Sequence, residues 1–145
     1  DTKFLLASHL SDSRTTKDAK MLMDRAERRT GIIPKTVVTD KLRSYLDAVE
    51  LSWGADTKHL TTGPFVKGKN EDSTRAIERF HGTLKDRTKV MRALKNKKTI
   101  NEFLEGWLVH YNFFRPHQSL GGKTPAKAAN VESPYKNWRD VVREK

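Results

Sequence analysis

Apolar positions in the first half of the chain follow a strand-like spacing in three places. Residues 2–11 alternate loosely and are rich in apolar side chains, which predicts a strand near the core. Residues 35–40 form a short β-branched run of the kind that parallel strands buried on both faces contain. Residues 57–63 predict another short strand. With helices between them, these strands indicate an α/β layered domain.

Helical spacing separates the predicted strands. The first helix has Thr15 or Thr16 as its N-cap and Gly31 just past its end. A second helix continues from Lys41 directly after the strand at residues 35–40. The core face of the first helix is predicted to contain Ala19, Leu22, Met23 and Ala26.

The second half of the chain is predicted to be mainly helical. Residues 63–72 contain glycine, proline and lysine and read as a basic loop that leads into a long helix. The acidic and hydroxyl side chains of residues 71–73 suit the start of that helix. Its buried stripe is predicted to be Ile77, Phe80, Leu84, Met91 and Leu94.

A further helix is predicted over residues 99–114, and Pro116 ends it. Its buried positions are predicted to be Phe103, Leu104, Trp107, Leu108 and Tyr111. At its end, Tyr111 and Phe114 are interpreted as packing residues under the sheet, with DNA contacts by Arg115 and His117 as the alternative. The predicted domain spans residues 1–128, and residues 129–145 form a C-terminal tail that closes with a short helix.

Charge and composition narrow the class of partner. The 145 residues have a net charge of +11, which favours a polyanionic partner and above all nucleic acid. There is no cysteine, so disulfides, thiolate zinc sites and cysteine nucleophiles are excluded. No apolar run approaches the roughly 20 residues that a membrane span needs, and no signal-peptide pattern opens the sequence. We therefore expect a cytoplasmic protein with no membrane partner.

Two acidic positions are the candidates for chemistry. Asp40 ends a predicted strand, and the carboxyl ends of parallel strands are where open α/β sheets bind ligands. Its alternative role is the N-cap of the helix that starts at Lys41. Glu78 shares one face of the long helix with basic side chains, and the alternative for that face is a set of solvated charges. The basic side chains are His81, Lys85 and Lys89.

Three ordered stretches resemble one known family. They are VVTDKLRSY at residues 37–45, IERFHGTLKDR at residues 77–87 and HYNFFRPHQSLGGKTPAKA at residues 110–128. Together they resemble the DDE transposase and retroviral-integrase superfamily, particularly insertion-sequence transposases. The resemblance implies a ribonuclease-H-like fold, in which helices flank a mixed sheet. It also implies that Asp40 and Glu78 are the second and third acidic residues of the catalytic triad.

The same resemblance implies cofactors and partners. Cleavage and transfer of DNA strands in this family use two divalent metals, and carboxylate oxygens suit Mg²⁺ or Mn²⁺. Asp40 and Glu78 are thus the expected metal ligands. The expected partners are the double-stranded DNA of transposon ends and target, and further copies of the chain in the active complex. The candidate DNA-binding residues are His81, Lys85, Lys89, Arg87, Lys67 and Lys69.

One part of the family pattern has no match. The first acidic residue of the family lies on an opening strand, and neither Asp1 nor Asp12 occupies such a position. We therefore expect that the opening strands and the first carboxylate are missing from this chain. Two alternatives follow: a ribonuclease-H-type nuclease that cuts RNA–DNA hybrids, and a non-catalytic DNA-binding remnant of a transposase.

Overall fold

The computed structural model describes residues 2–61, 74–91 and 96–143. Contacts along the chain divide it into two units. The larger unit is Leu6–Glu102, and the smaller one combines Asp1–Leu5 with Phe103–Lys145. The boundary between domain and tail at residues 128 and 129 stays a prediction.

A parallel strand pair lies in the larger unit. Strand β1 (Thr36–Thr39) pairs with β2 (Lys58–Thr61) so that Thr36 lies opposite Lys58 and Thr39 opposite Thr61. Helix α2 (Arg43–Trp53) connects the two strands. Both strands were predicted, and the described residues form a helix-rich, mixed α/β fold. The side chains of β1 are half-buried or exposed rather than buried on both faces.

Helix α1 (Thr16–Thr30) begins and ends as its sequence predicts. Thr15 is the N-cap, and its hydroxyl accepts a hydrogen bond from the backbone N–H of Asp18 at 3.3 Å. Gly31 ends the helix with φ 66°, a left-handed conformation that glycine adopts without strain, and its N–H donates to the Glu27 carbonyl at 2.7 Å.

Helices α1 and α2 pack together and form the core of the larger unit. Trp53 anchors the contact: its indole is buried, while its Nε1–H donates to Glu27 Oε2 at 2.8 Å. The indole therefore has its polar atom satisfied inside an apolar core. The other buried members are Ala19, Met23, Ala48 and Val49, with Val37 and Tyr45 packed against them.

Residues 2–11 do not form the predicted strand. Side chains form hydrogen bonds with backbone groups that would otherwise pair with a neighbouring strand. In the smaller unit, the Asn112 amide accepts from the Leu5 N–H at 2.9 Å and donates to the Leu5 carbonyl at 2.8 Å. In the larger unit, Arg25 donates to the Ser8 carbonyl at 2.9 Å. Alternating apolar residues predicted a strand, but no strand of the described ranges pairs with them.

Helix α3 (Arg75–Thr88) is shorter and more exposed than its sequence predicts. Phe80 and Leu84 are half-buried, but Ile77 is 43% exposed. Met91 is 37% exposed and follows the end of the helix. The predicted helix start at residues 71–73 and the stripe position Leu94 lie outside the described residues.

The smaller unit is built on the end of α4 (Lys97–Val109), which continues as a wider π-helical turn over His110–Phe114. Trp107, Leu108 and Tyr111 are buried as predicted, whereas Phe103 and Leu104 are half-buried. Two short helices follow, α5 (Pro125–Ala128) and α6 (Trp138–Arg143). Within the described ranges, every helix is too short or too polar to cross a lipid bilayer.

Aromatic contacts connect the elements of the smaller unit. The Phe114 ring lies 5.2 Å from the Trp138 ring of α6, measured between centroids. The Tyr111 and His117 rings lie 4.6 Å apart in an edge-to-face arrangement. Both residues that the sequence assigns to packing therefore make aromatic contacts inside this unit.

The N-terminus of α1 contains a carboxylate with a shifted pKa. Asp18 Oδ2 accepts from the Thr15 hydroxyl at 2.6 Å, from the Thr15 N–H at 3.1 Å and from the Ser13 hydroxyl at 3.0 Å. These bonds, the Thr15 hydroxyl first, lower the pKa of Asp18 to about 2. The ionised form is favoured because only it accepts all of these donors.

We expect Asp18→Asn to lower the free energy of unfolding at neutral pH and to lower it by less at acidic pH. A lowered pKa contributes stability above the unfolded-state pKa of about 3.9, and that contribution is lost as the pH falls through the folded pKa. Denaturant titrations should therefore show the free-energy difference between wild type and Asp18→Asn shrinking from about pH 5 to about pH 2. Asp56→Asn, at an exposed position, is the control. A difference that grows in acid would contradict this assignment.

Candidate active site

A cleft of about 340 Å³ opens in the larger unit, where α1, β1, α2 and α3 contribute to its wall. Asp40 and Glu78, far apart in the sequence, both line it. The other polar lining residues are Thr39, Thr74 and His81. Most of the wall is apolar and consists of Leu22, Met23, Ala26, Val37, Val38, Tyr45, Trp53 and Ile77. The structure thus places the two predicted carboxylates in one concave site.

Asp40 follows β1 directly and is exposed. Its Oδ1 accepts a hydrogen bond from the Leu42 N–H at 3.1 Å. This bond from an aspartate side chain to the backbone two residues later closes a short turn. Helix α2 starts at Arg43 instead of Lys41, and its N-cap is Leu42, without a side-chain capping bond. The alternative N-cap role of Asp40 is therefore wrong. Within the described residues, Asp40 Oδ2 has neither a hydrogen bond nor an ion pair.

Glu78 lies in the first turn of α3 and is exposed. Its Oε1 accepts a hydrogen bond from the Thr74 hydroxyl at 3.1 Å. No Lys or Arg side chain of the described residues forms an ion pair with Glu78, although the chain has a net charge of +11. In this part of the chain, Glu78 Oε2 remains available to a ligand.

His81 lines the same cleft one turn beyond Glu78. Partial burial lowers the pKa of His81, and the positive charge of Lys85 lowers it further, against the opposing effect of Glu78. Because the ordinary pKa of histidine is already below 7, this lowering favours the neutral form of the His81 ring at neutral pH. The cleft therefore gains a hydrogen-bonding ring without an added positive charge.

Exposed basic side chains extend beyond His81 along α3. At about 100° per residue, Lys85 and Lys89 lie within roughly 20° of the direction of Glu78, whereas Arg87 lies on the opposite side of the helix. All three are exposed, and none forms an ion pair within the described residues. Lys67 and Lys69 lie outside the described residues.

The donor chemistry of the cleft fits a hard divalent cation. Asp40 and Glu78 each have one carboxylate oxygen held by a hydrogen bond and one oxygen without such a bond in the described ranges. Carboxylate oxygens are the donors that Mg²⁺ and Mn²⁺ prefer. In the described parts of the chain, however, no three side chains of His, Asp or Glu lie close enough together to hold a metal ion. Asp40 and Glu78 are the two carboxylates of the cleft that could contribute to such a site.

The sequence did not predict two features of the cleft. One is Thr74, since the helix start was assigned to the three residues before it. The other is the apolar wall: Ile77 was assigned to a buried stripe, yet it is 43% exposed and lines the cleft. A hydroxyl residue four positions before Glu78 is a signal in the sequence that could have identified Thr74.

Comparison with known protein families finds a match to part of the chain. Residues 70–125 match the family model of the integrase core domain. The match includes Glu78, His81 and Lys85, whereas Asp40 precedes it. No curated protein and no solved structure matches the chain. The matched residues include the second of the three stretches that suggested the resemblance and residues 110–125 of the third, so the match supports the resemblance to the DDE transposase and retroviral-integrase superfamily.

Proposed function

We propose that this chain forms part of the catalytic core of a DDE transposase, a polynucleotidyl transferase that cuts and joins DNA strands. The observation that carries the proposal is the presence of Asp40 and Glu78 in one cleft, beside an exposed basic helix face. The integrase core match over Glu78 and Lys85 supports it independently. The parallel strands joined through α2 are compatible with part of a ribonuclease-H-like sheet.

Asp40 and Glu78 have the role of metal ligands in this proposal. Mg²⁺ or Mn²⁺, when bound, supplies Lewis-acid chemistry to an attacking water or 3′-hydroxyl and to the leaving oxygen. Asp40 is held at the end of β1 by its own turn, and Glu78 is held on α3 by Thr74. Each carboxylate is thus held in place by a hydrogen bond and has a second oxygen that can bind a metal, and a metal site requires such fixed ligands.

Lys85 and Lys89 bind the DNA backbone in this proposal. Lys85 follows Glu78 by about 10 Å along the helix axis, so the helix can hold phosphates beyond the reacting one. Such contacts give affinity and register without reading sequence. Double-stranded DNA of transposon ends and target is the proposed substrate, and further copies of the chain complete the active complex.

We expect the chain to bind duplex DNA with an affinity that falls steeply as salt increases. Phosphate contacts release counterions, and the net charge of +11 favours many such contacts. Fluorescence anisotropy with two unrelated duplexes over a salt series measures both the slope and any sequence preference. A flat salt response would contradict binding through phosphates. Tighter binding to an RNA–DNA hybrid would favour the nuclease alternative.

We expect Glu78→Gln and Lys85→Ala to affect different steps. In the full-length natural protein, Glu78→Gln should abolish DNA strand cleavage while leaving duplex affinity equal or slightly higher, because a negative charge near phosphates is removed. Lys85→Ala should weaken DNA binding and reduce the slope of log affinity against log salt by about 0.9. Cleavage assays and salt-dependent binding measure the two effects separately.

Matched variants on other helices control these measurements. Glu50→Gln and Lys17→Ala alter exposed residues of α2 and α1 that do not line the cleft. They should leave cleavage unchanged and alter DNA affinity less than Lys85→Ala does. Normal cleavage by Glu78→Gln, or equal loss of DNA affinity in Glu78→Gln and Lys85→Ala, would show that Glu78 is a solvated surface charge and not a metal ligand.

A further inference from the structure

We propose that Thr74 is a positioning residue that holds the Glu78 carboxylate at the cleft. This inference rests on the proposed function, in which Glu78 is a metal ligand. Thr74 precedes α3 as its N-cap and lines the same cleft as Glu78. Its hydroxyl donates to Glu78 Oε1 at 3.1 Å.

The Thr74 hydroxyl lacks the backbone capping bond that two other N-cap threonines of the described residues make. The Thr15 hydroxyl accepts from the Asp18 N–H at the start of α1, and the Thr124 hydroxyl accepts from the Lys127 N–H at the start of α5. That is the ordinary function of an N-cap threonine. Thr74 makes no side-chain capping bond to its helix backbone. The Thr15 hydroxyl both caps its helix and donates to the Asp18 carboxylate, whereas the Thr74 hydroxyl only donates to the Glu78 carboxylate.

The burial of Thr74 makes this hydrogen bond important. Thr74 is only 7% exposed, and a buried hydroxyl without a partner is costly. The Thr74 carbonyl also accepts from the Glu78 N–H at 3.0 Å, so one residue fixes both the backbone and the side chain of Glu78. An exposed glutamate would otherwise sample several rotamers.

Orientation of Glu78 has a consequence for metal binding. The bond to Thr74 occupies Oε1 and leaves Oε2 without a hydrogen bond among the described residues. A group that orients a ligating carboxylate through a hydrogen bond raises metal affinity, and losing such a group typically weakens binding by about 10- to 100-fold. Thr74 therefore acts on the metal through Glu78 and does not touch it.

Three variants of the full chain separate positioning from folding. Thr74→Val has nearly the same shape without the hydroxyl, and Thr74→Ser keeps the hydroxyl. Thr83→Val is the matched control, because the Thr83 hydroxyl on the same helix donates to the Arg79 carbonyl at 3.1 Å, and Thr83 does not line the cleft. Side-chain ¹³C relaxation of Glu78 measures its mobility, and water proton relaxation during Mn²⁺ titration measures affinity for that metal.

We expect Thr74→Val to increase the mobility of the Glu78 side chain and to weaken Mn²⁺ binding by about 10-fold. Thr74→Ser should restore both values, and Thr83→Val should change neither. Thermal unfolding should be similar in all three variants, since Thr74 makes no capping bond. An unchanged Glu78 mobility in Thr74→Val, or a loss of Mn²⁺ affinity that Thr74→Ser does not restore, would overturn the role of Thr74.

Failure of the proposed function gives a different result. If Glu78→Gln binds Mn²⁺ as tightly as wild type, Glu78 is not a metal ligand, and the positioning role is overturned together with the proposed function. If Glu78→Gln loses Mn²⁺ binding while Thr74→Val retains it, only the inference about Thr74 is overturned.

Discussion

Parallel pairing of β1 with β2 is the interaction on which the geometry of the cleft depends. Parallel neighbours require a crossover connection, and α2 provides it between Thr39 and Lys58. The packing of α2 on α1 builds the core at one side of β1. Asp40 directly follows β1, so it lies at the carboxyl end of this strand, where the chain turns towards α2. The position of one acidic side chain thus follows from strand pairing and core packing.

Glu78 reaches the same cleft by a different physical route. Asp40 is fixed by a turn of its own backbone, whereas Glu78 is fixed by a buried hydroxyl one helical turn earlier. In a chain with a net charge of +11, both carboxylates lack an ion pair within the described residues. Paired with Lys or Arg, these oxygens would be neutralised and less available to a cation.

Local signals explain which elements the sequence could predict. A capping threonine and a left-handed glycine define α1, and a β-branched run defines β1, because the conformational preferences act within a few residues. Residues 2–11 carry the alternation of a strand, but pairing depends on a distant neighbour. Their backbone groups instead bond side chains such as Asn112 and Arg25. Alternation of apolar and polar residues indicates which side chains can be buried, but it does not identify the strand with which they would pair.

The candidate site shows the same division between local and distant information. Asp40 and Glu78 could be selected from residue types and family resemblance, but their meeting depends on the packing of several elements. Apolar periodicity assigned Ile77 to a buried stripe, yet a helix that borders a cleft needs the same apolar spacing on its inner face. Its neighbours decide whether that face is covered. Thr74 illustrates the point most directly: in the described residues, the N-cap hydroxyls of Thr15 and Thr124 accept from their helix backbones, whereas the Thr74 hydroxyl makes no such bond and donates to the Glu78 carboxylate.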